Sequence, residues 1–283
     1  MKDKLLLIAF LQAMFIMKSY GQLPPFSIGL KAGSTYSYID DLETTVSPSN
    51  DTLNYIPYTL EKQNRWGFCA GLYGLWTLKG DERIQERILA VQVQMLYVSQ
   101  GSNLIYQETT GFHYKMEFRY NYINIPIDLK VFPFGVVRGT GDWPNAFTGI
   151  NLGIGAQIGI NITSENIVYT SNNTQPSIGT DLQLQQELRN ILKGRDNFGF
   201  RASIGYEFIG NANNYYMNKG ISLELSYYLG LTDVVETMPT TPSPNDFFKF
   251  IETRNRNTCW QLTLGVDFRL LKKFLNDGLS CIF

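Results

Sequence analysis

Apolar and polar residues alternate with period two in eight stretches of the chain, the signature of strands whose two faces meet different surroundings. In 26–36, Phe26, Ile28, Leu30 and Ala32 share one face, and Ser27, Gly29, Lys31 and Gly33 the other. Stretch 66–78 sets Trp66, Phe68, Ala70, Leu72 and Trp76 against Gly67, Cys69, Gly71 and Thr77. Stretch 88–98 sets Leu89, Val91, Val93, Met95 and Tyr97 against Gln92 and Gln94. In 118–132, Ile123, Ile125, Ile127, Leu129 and Val131 oppose Asn124, Asp128 and Lys130, but Phe118, Tyr120 and Tyr122 fall out of phase. A β-bulge near Tyr122 is expected to reconcile the two halves. Stretches 148–162, 198–209, 221–233 and 259–270 complete the set; in the last, Trp260, Leu262, Leu264, Val266, Phe268 and Leu270 oppose Gln261, Thr263, Gly265, Asp267 and Arg269. Each is long enough to cross a bilayer, which takes about 9–11 tilted residues.

The connectors alternate in length. Segments 37–65, 99–117, 163–197 and 234–258 are each longer than 79–87, 133–147 and 210–220. Outer-membrane barrels have long external loops and short periplasmic turns, and an even strand number leaves no edge for lipid to solvate. The pattern predicts an all-β fold: an eight-stranded antiparallel transmembrane β-barrel with long external loops. Within the third long loop, Leu184, Leu188, Ile191 and Leu192 recur at helical spacing before Gly194, which predicts a short amphipathic helix.

A soluble barrel would turn its apolar face inward. Three features oppose that here. The polar face is rich in glycine (Gly29, Gly71, Gly153, Gly155, Gly205, Gly265), which suits a narrow, side-chain-filled interior. Its charges balance: Lys31, Lys130, Arg201 and Arg269 against Asp128, Glu207, Glu224 and Asp267. Buried charges need partners, so these eight are expected to form an interior network. Aromatic residues gather near strand ends, as in the girdles of membrane barrels.

Composition agrees. Charged residues are 17% and aromatics 14% of the chain, where a soluble domain carries about 25% charged residues. The net charge of −1 argues against a nucleic-acid partner. Lys2 and Lys4, the apolar run from Leu5 to Met17, and small residues at Ser19 and Gly21 read as a signal peptide cut near Gly21-Gln22. The expected organisation is a signal peptide at 1–21, a barrel at 22–270 and a periplasmic tail at 271–283, with export to the outer membrane of a Gram-negative cell. Cys69, Cys259 and Cys281 match no metal spacing and are expected as free thiols.

Gly29-Leu30-Lys31-Ala32-Gly33, Tyr122-Ile123-Asn124-Ile125-Pro126-Ile127-Asp128-Leu129-Lys130, Gly205-Tyr206-Glu207 and Tyr227-Tyr228-Leu229-Gly230-Leu231-Thr232-Asp233 occur in the first, fourth, sixth and seventh stretches. Together they resemble the PorT-like outer-membrane β-barrel family of Bacteroidetes, over nearly the whole chain after the signal. The resemblance implies a membrane barrel and a link to type IX secretion or gliding. The long loops 37–65 and 163–197 and the tail after Leu270 depart from the pattern.

Catalytic motifs are scarce. No zinc set, P-loop or dinucleotide fingerprint occurs, and no cofactor is expected. The single histidine, His113, has Ser102 and Glu108 near it in sequence, and the bland reading is a solvated loop residue. In the last long loop, Phe247, Phe248, Phe250 and Ile251 form an apolar cluster that admits three readings: a partner site, a closure of the barrel mouth, or a dip into the lipid interface. The expected function is a non-enzymatic scaffold that contacts outer-membrane lipid and other envelope proteins. The alternatives are a small-solute or ion channel and a loop-based lipid-modifying enzyme.

Overall fold

The computed structural model describes residues 26–42, 46–48, 58–79, 88–108, 113–134, 137–138, 147–163, 167–172, 181–210, 217–237, 248–250 and 254–270. The expected signal peptide, the tail at 271–283, Cys281, Phe247 and Ile251 lie outside these residues.

Eight long strands follow one another: β1 (Phe26–Ile39), β2 (Tyr58–Lys79), β3 (Leu89–Glu108), β4 (His113–Val131), β5 (Phe147–Asn161), β6 (Asn197–Gly210), β7 (Met217–Asp233) and β8 (Arg256–Leu270). Each pairs antiparallel with its chain neighbours. β8 then pairs with β1 from Phe26↔Leu270 to Ile39↔Asn257 and closes the ring. Closure satisfies the backbone along every edge, which a segment in hydrocarbon requires.

The apolar residues point out. Leu30 is 57% exposed, Ile154 68% and Leu264 56%, and they belong to a belt that runs over all eight strands. Water would not solvate so large an apolar surface on a monomer, whereas lipid does. Trp66, Tyr36, Trp260 and Tyr227 occupy one row of paired residues across β2, β1, β8 and β7. Ring centroids are 4.8 Å apart in Tyr36–Trp66 and 4.7 Å in Tyr227–Trp260. Such a row marks a membrane–water interface.

The expected bulge near Tyr122 is absent. β4 keeps one register against β3 from Gln107↔His113 to Leu89↔Val131, and one against β5 from Tyr122↔Asn161 to Val131↔Leu152. Burial alternates without interruption, with Tyr114, Met116, Phe118, Tyr120, Tyr122, Asn124, Asp128 and Lys130 all pointing inward. The hydrophobic pattern changes phase because the solvent changes. Below Tyr122 the outer residues are Ile123, Ile125, Ile127 and Leu129, facing lipid; above it they are Lys115, Glu117, Arg119 and Asn121, facing water. Register shifts occur elsewhere: β2 slips against β3 between Asn64 and Cys69 and again between Thr77 and Lys79, and β7 slips against β8 between Leu229 and Asp233.

β2, β3 and β4 therefore continue past the interface. Segment 99–117, expected as a loop, is mostly strand. A short strand, Ile167–Ser171, adds to the upper half of β4. The expected helix is present as α1 (Asp181–Ile191), burying Leu184, Leu188 and Ile191. Its polar side chains serve the outer edge of the short strand: Ser171 N and Oγ donate to Asp181 at 2.9 and 2.6 Å, Tyr169 N donates to Gln185 at 3.1 Å, and Arg189 Nε donates to the Ile167 carbonyl at 2.8 Å. An edge strand with its backbone engaged in this way is closed to further pairing. These pieces form a crown above the barrel. Its core joins Ile39, Leu42, Leu104, Met116, Phe118, Leu188, Val234 and Val235 to the tyrosines 106, 114, 120, 122 and 169.

Candidate functional site

The barrel interior carries charge at mid-depth. Arg201 on β6 donates from Nη1 to Asp128 Oδ2 on β4 at 2.6 Å, and from Nη2 to Glu224 Oε1 on β7 at 2.8 Å and Ser226 Oγ at 2.9 Å. Lys31 Nζ on β1 lies 3.0 Å from Glu224 Oε1, and Lys130 pairs with Glu224 Oε2. Gln94 Nε2 donates to Asp128 Oδ2 at 3.0 Å, and Lys31 sits 5.0 Å from the centre of the Tyr73 ring. All five charged groups are at most 3% exposed.

Glycines on neighbouring strands make room for this cluster. Lys31 is flanked by Gly71 and Gly265, Asp128 and Arg201 both by Gly155, Lys130 by Gly153, and Glu224 by Gly205. A Cβ at Gly155 would collide with the Ile127 carbonyl and with Asp128. Long side chains next to absent ones is how a narrow barrel fills its lumen.

Of the eight residues expected in an interior network, the structure brings five together: Lys31, Asp128, Lys130, Arg201 and Glu224. Glu207 is buried farther along β6. Asp267 and Arg269 lie on β8, and their side chains are outside the described residues. The central group holds three cations and two carboxylates. Gln94, Ser226 and Tyr73 complete it, and nothing in their spacing singled them out from other polar-face residues.

Above the cluster the crown core covers the mouth. Asn255 pins the β7–β8 connection there: its Oδ1 accepts from Val234 N at 3.0 Å and Val235 N at 2.6 Å, and its Nδ2 donates to the Val235 carbonyl at 3.1 Å. Val235–Thr237 pairs with Leu192–Gly194, next to α1. Arg195 bonds Glu236 across this pair and holds that carboxyl below the ordinary carboxylate value. Phe248 and Phe250, expected in an apolar cluster, sit on a short strand paired with Val46–Pro48; their side chains lie outside the described residues.

His113 is an exposed residue at the start of β4, rather than in a loop, and its backbone N donates to Asn172 Oδ1 at 2.8 Å. Ser102 is buried and pairs with Phe118, about 17 Å along the strand from His113 at ~3.4 Å per residue. The two do not meet. Among the described residues no group of His, Cys, Asp and Glu is arranged to hold a metal ion.

The bulge in β2 joins two further features. Its slip opens the backbone of β3 at Ser99–Gly101, where Gly101 has a φ of 154°. Thr35 Oγ1 donates to the Ser99 carbonyl at 2.6 Å, and Ser37 Oγ both accepts from Gly101 N at 2.8 Å and donates to its carbonyl at 3.0 Å. Arg65 Nη1 takes the Gln100 carbonyl at 3.1 Å and Ser99 Oγ at 3.3 Å. β1 and β2 thus satisfy a strand that the bulge leaves open.

The solved structures to which the chain is similar include the following three. Outer membrane protein OprG from Pseudomonas aeruginosa matches at 9% sequence identity, over 88% of this chain and 97% of that one, with a TM-score of 0.43. Neisserial surface protein A, NspA, matches at 8% identity over 86% of this chain and 95% of its own, with a TM-score of 0.32. Ail, the attachment invasion locus protein of Yersinia pestis, was solved with the heparin analogue sucrose octasulfate; it matches at 11% identity over 87% and 99%, with a TM-score of 0.24. Neither a protein-family model nor a curated protein sequence matches the chain.

Proposed function

We propose that this chain is a non-enzymatic outer-membrane barrel that works as a membrane-embedded scaffold, presenting its crown to other proteins of the cell envelope. One observation carries the reading: the strands do not stop at the membrane but build a crown with a hydrophobic core of its own. A barrel that needed only to span lipid would end its strands at the girdle. A channel would keep its lumen open, whereas here an ion-pair cluster crosses the lumen at mid-depth and the crown core covers the mouth. The long-loop end is the external one by the general rule for these barrels.

The resemblance to PorT-like barrels of Bacteroidetes makes secretion or surface-protein assembly the setting we favour. The test is affinity purification of the native protein from outer membranes in mild detergent, with companions identified by mass spectrometry. A stoichiometric companion, lost when the half-buried outer crown residues Lys115 and Glu117 and the exposed Thr170 are replaced by alanine, is the expected result. Recovery of the barrel alone would overturn the scaffold reading.

A further inference from the structure

A basic patch lies on the outer wall immediately above the aromatic row. The β2 bulge turns two consecutive residues, Arg65 and Trp66, to the same outer face, a known effect of bulges. Trp66 is 69% exposed at the interface. Arg65 lies across Gly101, with its Cδ 3.4 Å from where a Cβ would stand, and Gly101 pairs with Arg119 on β4. Arg65 is held by two neutral acceptors, the Gln100 carbonyl and Ser99 Oγ. Arg119 and Lys115 share a single carboxylate, Glu117, with Lys115 Nζ at 2.7 Å. Glu61 stands in the same outward row as Lys115, across Ile105, so three cations stand against two carboxylates, with Arg65 and Arg119 the pair nearest the aromatic row.

A second feature lies below on the same strands. Gly74 is a side-chain-free position in the outward, lipid-facing row of β2. Around it Ile28, Leu72, Val93, Met95 and Trp76 line a shallow apolar notch of about 560 Å³. From Trp66 down to Gly74 the wall descends about 20 Å, at ~3.3 Å per residue and ~40° of tilt. That depth is within the reach of an acyl chain whose headgroup sits at the patch.

We propose that the wall formed by β1–β4 holds one phosphorylated glycolipid of the outer leaflet, with a phosphate between Arg65 and Arg119 and an acyl chain in the notch at Gly74. The excess of one positive charge favours an anionic headgroup, and a phosphomonoester carries about −1.5 to −2 at neutral pH. Arg119 Nε and Nη2 are held by Glu117 and Arg65 Nη1 by Ser99 and Gln100, so the phosphate would take the remaining guanidinium N–H groups of the two arginines. The leaflet assignment rests on the outer-membrane reading above.

The test uses the full-length protein in phosphatidylcholine vesicles containing either lipid A with its phosphates or the dephosphorylated form. The protein is then extracted in mild detergent and weighed by native mass spectrometry. The wild type is expected to retain one phosphorylated lipid A and to lose most of it when the phosphates are removed. R65Q/R119Q should lower retention at least tenfold, and G74L, which fills the notch, severalfold. R254Q removes an exposed positive charge from the segment before β8 and should change nothing. Heat-dependent gel mobility confirms that each variant is a folded barrel. Equal retention by folded R65Q/R119Q and wild type, equal retention of the dephosphorylated form, or an equal loss in R254Q would overturn the site and leave the scaffold reading untouched. A wild-type chain that fails to insert into vesicles would overturn the membrane reading, and the site with it.

Discussion

Arg201 and Asp128 meet at 2.6 Å although their strands are not neighbours: β5 runs between β6 and β4, and the pair closes over Gly155. The absent side chain at Gly155 is what lets the guanidinium reach the carboxylate. A buried pair of this kind contributes little net stability over an apolar filling, but breaking it leaves a charge with no compensation. Replacing Arg201 by Met is therefore expected to cost about 3–5 kcal/mol. The measurement is urea unfolding of the barrel in lipid vesicles, followed by tryptophan fluorescence.

Gly155→Val should impair folding even though valine favours strands, because its side chain would enter the space that Asp128 and the Ile127 carbonyl occupy. Ala156→Val, one residue along and turned toward lipid, should fold normally. The fraction of heat-modifiable barrel on a gel reads both; equal yields would remove the packing argument.

The inversion along β4 makes a paired prediction. Ile127→Lys places a charge on the lipid face at mid-depth and should cost about 2–4 kcal/mol. Lys115→Thr, on the same outer row but in water, should cost less than about 1 kcal/mol, the range of an exposed ion pair. Phe118→Ala, inside the crown, should cost about 3–5 kcal/mol. If Lys115→Thr proved as damaging as Ile127→Lys, the membrane boundary would not lie where the pattern changes.

Cys69 and Cys259 are unbridged and fully buried inside the barrel. Neither should react with a small maleimide while the barrel is folded in vesicles, and both should react once it unfolds. Rapid labelling in the folded state would reveal a lumen open to solvent.

The same closure predicts silence in planar bilayers. The inserted wild type should show no unit conductance, because the charge cluster and the crown core lie in series. Discrete openings would return the channel reading to first place.

The alternating runs, the glycines opposite long polar residues and the alternation of long and short connectors were enough to specify an eight-stranded antiparallel membrane barrel with a helix in its third long loop. They suffice because a strand between lipid and a narrow polar lumen has only one way to place its two faces. Two things were beyond them. Which charges meet is a matter of register: Arg201 finds Asp128 two strands away, and no spacing in the chain encodes that rung. The crown was hidden for a different reason. Below Tyr122 the apolar side of β4 is outside, and above it the apolar side is inside, with no change in the backbone. In one dimension that flip has the same appearance as an inserted residue. Only the tertiary structure separates the two, because it shows where lipid ends and water begins, and the medium on the outer face decides which side of a strand must be apolar.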